Sequence, residues 1–346
     1  MTEPTAGQKG KVEILAYTKG QTHKNVLEMI ELAGRTCYKS TDRITPGSAE
    51  KFIATILKSG HESVIEHSWF VFLIKRPSSA PGDCLLREYL FKILMKNGLL
   101  SLTEEIGRFV LSGNARMFRD YFRRPGYTSQ DIELPLTSQL MGTPALFSDL
   151  KLELESETEF FIPSYKIAIS PDIDFTRQEK LAHFWAMARF TGCSRAFTHQ
   201  LVRHRPVAIS QESQRYCDES GFFDNGYFVV PPSFEAAGYT DWYLDKLRKI
   251  DGWYKAAQEL PDKSGHLAIK NEDARFLLPN AVCSEIVMSA NLLEWRWILK
   301  MRCNRHAQWE IRQVAIDLLR QFQTLFPDCF DDFAVSEDEK SAELIN

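Results

Sequence analysis

Arg203, His204 and Arg205 stand together, and after a gap of seven residues come Ser213, Gln214 and Arg215. From Arg195 to Arg215 there are four arginines and two histidines against one acid, Glu212, and no lysine. A guanidinium is a planar fork of donors that matches phosphate oxygens two at a time, so arginine in place of lysine favours phosphate recognition over mere solubility. Past Pro206, Ser213 and Arg215 can add a hydroxyl, backbone N–H groups and another guanidinium to the same anion. The bland reading is a solvated basic helix end whose arginines pair with acids elsewhere, and spacing alone leaves both readings open.

The elements that must hold this segment can be read from apolar periodicity. "NVLEMIELAGRTC" and "SAEKFIATILKSG" have helical spacing, and "SWFVFLIK" (68–75) reads as a buried strand. Between about 77 and 175 the pattern weakens. "GRFVLSG" there reads as a strand and "NARMFRDYFRR" as a helix, in a stretch expected to be a peripheral insertion. The pattern returns at Arg177, where Leu181, Phe184, Trp185 and Ala188 fall at helical spacing. A further helix begins at Ser194 as N-cap, and Pro206 places the Arg-His-Arg triplet in its last turn. "GYFVVPP" is strand-like, 238–260 and 306–325 are helical, and the acidic tail 331–346 is expected to fray.

At 346 residues, with 44% hydrophobic and 25% charged content, the chain has the composition of a soluble globular protein. A net charge of −4 gives no global attraction to nucleic acid or to a membrane, so an anion site must be local. Seven scattered cysteines without C-x-x-C spacing suit reduced thiols and a cytoplasmic setting, and no apolar run is long enough to span a bilayer. "HESVIEH" contains two histidines, but His61 and His67 are six apart and Ile65 occupies the position a zinc-binding H-E-x-x-H helix requires, so no metal is expected.

The triplet, the seven-residue gap and Ser213, followed by Arg215 and Tyr216, resemble the signature of the flavin-dependent thymidylate synthases. "CSRAFTHQLVRHR" resembles the family's helix into that signature and includes Gln200. "AGRTCYKS" and "SGHESVIEH" resemble its N-terminal segments, and "ARFLLPNAV", "MSANLLEW" and "MRCNRHAQWEIR" its C-terminal ones. The resemblance implies an α+β fold with a mixed sheet flanked by helices, interrupted by the insertion at about 77–175, and assembled as a homotetramer with shared active sites. It implies methylation of dUMP to dTMP, with methylenetetrahydrofolate as one-carbon donor and NADPH as reductant through FAD. A flavin- or nucleotide-binding protein of the same fold without catalysis is the alternative.

Matching the segments position by position implies a dUMP set of Gln200, Arg203, Gln211, Ser213, Arg215, Arg275 and Arg302. The FAD set is Ser63, Glu66, Arg203, His204, Arg205, Asn291 and His306, and His61 stands on the folate side. Arg302 is the catalytic candidate, because its match favours ionisation at uracil N3 and a permanent cation stabilises that developing charge. Ser213 lacks an evident base, so the family picture makes it a binding contact. The chain departs from the pattern at Ala208, where many relatives have serine, at Trp297, where some have a flavin-contacting asparagine, and at Cys37, where some have serine.

Overall fold

The computed structural model describes residues 7–18, 23–75, 101–105, 108–123, 140, 143–150, 166–168, 175–266 and 269–345. Ten strands are registered in it: β1 (Lys11–Tyr17), β2 (Phe70–Lys75), β3 (Ser101–Glu105), β4 (Arg108–Gly113), β5 (Lys166–Ala168), β6 (Trp185–Thr191), β7 (Ala208–Gln211), β8 (Ile286–Asn291), β9 (Phe333–Val335) and β10 (Ala342–Leu344). The principal helices are α1 (His23–Thr36), α2 (Ser48–Lys58), α3 (Ala115–Phe122), α4 (Arg177–His183), α5 (Arg195–Leu201), α6 (Thr240–Gln258), α7 (Leu292–Arg302) and α8 (Trp309–Leu325). The class is α+β, with helices flanking sheets as expected. One sheet runs β1-β6-β8-β7 and a second β3-β4-β2-β5, but where a mixed sheet was expected the described strands pair only antiparallel.

The first sheet is covered on both faces, and alternation along its strands assigns each side chain to a face. Trp185, Met187 and Val287 join α1, α2, β2 and α3 in one core. Ala186, Ala188, Phe190, Ile286, Met288 and Ala290 join α7 and α8 in the other. This explains the difference at 184–191, where helical spacing predicted a continuing helix. The helix stops at His183 and Trp185–Thr191 is a central strand. A strand buried on both faces is apolar throughout, and periodicity alone does not separate it from a buried helix.

The insertion is not peripheral where it is described. β4 pairs with β2, and Phe109, Leu111, Phe118, Leu146 and Phe147 are buried in the first core. Asn114 caps α3 by accepting a hydrogen bond from the Met117 N–H. The acidic tail is also anchored, since β9 and β10 form a hairpin with Phe333 and Ala342 buried. "GYFVVPP" forms only a single bridge, Phe228 to Val282.

Candidate active site

The Arg-His-Arg segment is set by a strand-to-helix turn. Gly192 leaves β6 at φ +63°, where a Cβ would lie 2.8 Å from the Lys9 carbonyl oxygen, so a glycine is required there on both counts. Ser194 then caps α5, accepting from the Phe197 N–H at 3.1 Å while its own hydroxyl donates to Glu310 at 2.6 Å. The helix ends at Leu201, one turn earlier than expected, and Arg203, His204 and Arg205 occupy the following turn. Off the helix, the three side chains are no longer confined to 100° steps and diverge. His204 is buried, whereas Arg203 and Arg205 are exposed.

His204 points toward α7. The Arg302 Nε–H donates to His204 Nε2 at 2.9 Å, and Arg302 Nη2 donates to the Gln200 carbonyl at 3.1 Å. An imidazole that accepts at Nε2 carries its proton at Nδ1, and it is neutral. Burial, reinforced by the Arg302 charge, pushes the His204 pKa from the ordinary 6.5 to about 4. Arg302 is itself lowered by burial, lying over an apolar wall that includes Phe197, Leu201, Ile298 and Leu299. The result is a half-buried cation whose orientation is fixed at two of its three nitrogens.

A second group of cations gathers around Glu272 and Ser284. Arg215 Nε pairs with Glu272 at 3.4 Å, and Arg275 Nε donates to the Glu272 carbonyl at 3.0 Å. Arg195 is close enough to Arg275 to feel its charge, and Arg195 Nη1 donates to Ser284 Oγ at 2.9 Å. Gln211 Nε2 donates to the same hydroxyl at 3.1 Å and to Thr198 at 2.8 Å. Ser213 follows, its N–H donating to the Cys37 carbonyl at 3.0 Å and its hydroxyl accepting from the Arg215 N–H at 3.3 Å. Gln200, one half-turn along α5 from Thr198, donates weakly to Gln308 at 3.5 Å. Gln200, Gln211, Ser213, Arg215, Arg275 and Arg302 are thus linked through α5 and the segment after β7. Arg195, Ser284 and Gln308 join them without having been singled out in the sequence.

The flavin-side candidates are only partly gathered. Ser63 and Glu66 lie on the 3₁₀ turn Glu62–His67, and Glu66, paired to Arg116 at 2.6 Å, also feels the charge of Arg205. His61 precedes that turn and is exposed, and His306 is exposed four residues beyond Arg302. Asn291 stands at the opposite end of α7 from Arg302, about 16 Å away at 1.5 Å per residue. Its Oδ1 accepts from the Glu294 N–H at 2.9 Å and its Nδ2 donates to the Ala182 carbonyl at 3.2 Å, so its principal bonds cap the helix. Trp297, on the outer face of α7, is exposed.

A family model described as "Thymidylate synthase complementing protein" matches residues 13–92 and 177–328. The chain belongs to this family. The matched segments carry every candidate residue and leave 93–176 outside. A flavin-dependent thymidylate synthase of Nitratidesulfovibrio vulgaris is 38% identical over 141 residues, 40% of this chain and 56% of that protein. One from Mycobacteroides abscessus is 34% identical over 168 residues, 45% of this chain and 64% of that protein, so these alignments span less than two thirds of the relatives' length. One from Mycobacterium tuberculosis is 34% identical over 176 residues, 47% of this chain and 68% of that protein. A crystal structure of thymidylate synthase X from Helicobacter pylori with FAD and dUMP is 15% identical and covers 93% of this chain and 99% of that one, with a TM-score of 0.35.

Proposed function

We propose that this member of the family is a flavin-dependent thymidylate synthase. It methylates dUMP to dTMP with methylenetetrahydrofolate as one-carbon donor and NADPH as reductant through FAD, and works as a cytoplasmic homotetramer with shared sites. Its catalytic domain is a single one interrupted by the 77–175 insertion. The observation that carries the reading is Arg302, a half-buried guanidinium held by neutral His204 and the Gln200 carbonyl, in a chain that also gathers Arg195, Arg215 and Arg275 around Ser284 and Glu272. The cysteines at 37, 193, 217, 283, 303 and 329 are free thiols, in keeping with a reducing compartment, and no described helix is long and apolar enough to cross a membrane.

In this reading Arg215, Arg275 and Ser213 take the nucleotide phosphate, and Gln200, Arg203 and Gln211 orient the nucleoside. Arg302 faces the uracil ring, where a cation already fixed in place stabilises negative charge at N3 without reorganising. His204 is the positioning partner. If it were protonated it could not accept from Arg302, and its charge would repel the guanidinium.

The residues suit an FAD pyrophosphate. The Arg203 side chain is exposed and without a partner among the described residues, and Arg205 spends only Nη1, on the Val202 and His204 carbonyls. Ser63, Glu66, His204 and His306 complete the flavin set, and we assign Asn291 to the flavin of a neighbouring subunit. Bound there, FAD would supply the capacity to pass a hydride from NADPH to the one-carbon unit. His61 belongs to the folate side. The reading is tested by incubating flavin-loaded protein with dUMP, methylenetetrahydrofolate and NADPH and separating the nucleotides; dTMP is the expected product, and its absence from protein with full flavin occupancy removes the proposal.

A further inference from the structure

Glu212 lies between Gln211 and Ser213, the two side chains assigned above to the nucleotide, yet it is itself buried. On an extended segment neighbouring side chains face opposite ways, so whatever holds Glu212 inward also holds Gln211 and Ser213 outward. Three donors converge on it. Lys39 Nζ reaches Oε1 at 2.5 Å, Tyr227 O–H donates to Oε2 at 2.8 Å, and the Glu285 N–H donates to Oε2 at 3.1 Å. The fourth partner is a second carboxyl, Glu219, which is also buried and lies in hydrogen-bond contact with Glu212.

Lys39 joins the two carboxyls, with its Nζ 3.2 Å from Glu219 Oε2 and 4.6 Å from the Tyr227 ring centroid. It does so from a left-handed backbone at φ +47°, a conformation a lysine rarely adopts and one that surrounding contacts must hold in place. Two residues earlier, the Cys37 carbonyl accepts the Ser213 N–H. The turn after α1 therefore grips the nucleotide segment twice, once through the backbone at Ser213 and once through Lys39 at Glu212.

We propose that Lys39, Glu212 and Glu219 are a positioning cluster for the segment Gln211–Arg215, in which one lysine and one proton balance two buried carboxyls and tie nucleotide binding to that proton. The inference rests on the nucleotide reading of Gln211 and Ser213. Oε1 of Glu219 has no hydrogen-bond partner among the described residues and Oε1 of Glu212 meets only the Lys39 ammonium, an arrangement that a proton shared between the carboxyls would complete. Burial, then the hydrogen bond and charge of Glu212, push the Glu219 carboxyl up to about 8, while for Glu212 burial is outweighed by the hydrogen bond with Glu219 and the charge of Lys39, which hold it below its usual range. The other groups that face the pair are Arg195 on α5, which donates to the Glu212 carbonyl at 3.3 Å, the phenol of Tyr254 on α6, the Glu285 carboxyl before β8, and the Cys217 and Cys283 thiols. Loss of the proton puts a second negative charge beneath a segment meant to meet a phosphate, so binding weakens as pH rises through the Glu219 value.

The test compares flavin-loaded native protein with Glu219→Gln, Lys39→Met and Lys39→Arg, reading KM for dUMP and kcat at about pH 7 and about pH 9. In the native protein KM rises on the order of tenfold between the two, with kcat changing much less. Glu219→Gln, which cannot lose a proton, flattens that rise to less than about threefold. Lys39→Met leaves the carboxyls without their cation and raises KM on the order of tenfold at about pH 7, and Lys39→Arg recovers most of it. A Glu219→Gln protein with the native pH profile, or a folded Lys39→Met protein with native KM, overturns the proposal. Should Lys39→Met fail to fold, Glu219→Gln decides alone. Native protein that binds no dUMP by calorimetry at either pH overturns the nucleotide reading and this inference with it.

Discussion

Arg302 and Arg215 carry the same charge but sit differently, and the difference predicts different kinetics. Arg302 is held at Nε and Nη2 over an apolar wall, whereas Arg215 is exposed and shares Glu272 with Arg275. Lysine at 302 keeps the charge but not the planar fork that His204 and the Gln200 carbonyl fix. Arg302→Lys is therefore expected to lower kcat on the order of 10²-fold with a much smaller change in KM, as for loss of one preorganised donor. Arg215→Lys weakens a phosphate contact made equally in ground and transition states, so its effect falls on KM. Steady-state dTMP formation across dUMP concentrations separates the two, and a native kcat in Arg302→Lys would reduce Arg302 to a binding residue. Arg275 and Arg302 stand alone in the sequence and were named only through the family resemblance, whereas Arg203, Arg205 and Arg215 were legible as a local cluster of phosphate-type donors. Arg195 was counted there but given no role, since its partner Ser284 is 89 positions away, and Lys39 escaped notice because Glu212 lies on a distant segment.

At the scale of elements, most helices and the strands β2 and β4 were readable because each has a face in one core and caps or turns at its ends, but α7 was not read as a helix, since apolar residues lie on both its buried and its exposed faces. β6 was not readable as a strand, since both its faces are buried, and the triplet was placed in a helix that ends before it. Beyond the ladders and the apolar cores, buried histidines make polar ties between these elements. His67 on the 3₁₀ turn meets Ser289 of β8 at 2.7 Å, and His183 at the end of α4 meets Thr103 of β3 and Ser112 of β4, both at 2.8 Å. Burial pushes His67 down to about 3 and His183 to about 4, and His204 behaves alike. Each folded value lies below the unfolded one near 6.5, so between them the unfolded chain binds protons that the native chain does not. Stability contributed by these neutral imidazoles is complete above about pH 6.5 and is lost as pH falls toward about 4. Urea midpoints measured from about pH 7 down to about pH 5 should fall steadily. A midpoint that stays level would mean that these histidines are protonated in the native protein.

At the scale of the whole molecule, α7 is the element through which the proposed site and the proposed assembly are connected. Leu292, Trp295, Ile298 and Leu299 bury its inner face. Leu293, Trp297 and Met301, spaced by four, leave its outer face 53%, 52% and 47% exposed. Three large apolar side chains in one stripe are uncommon on the surface of a monomer and suit a contact with another copy of the chain. Phe276, 84% exposed and next to Arg275, suits the same role at the nucleotide side. A charge at the centre of the stripe leaves a buried carboxylate without a partner, and losing a central tryptophan typically weakens an interface by about 2 kcal/mol or more, roughly 30-fold in Kd. Trp297→Glu is expected to shift the assembly from a mass near four chains of 39.8 kDa toward smaller species. Flavin occupancy should fall with it, because Asn291 and the Arg203–Arg205 turn would no longer act across a subunit boundary. Sedimentation equilibrium and the flavin-to-protein absorbance ratio read the two effects together. Trp297→Glu protein that keeps the native mass and full flavin would show that this face of α7 meets solvent in the assembly and that the flavin site is closed within one chain.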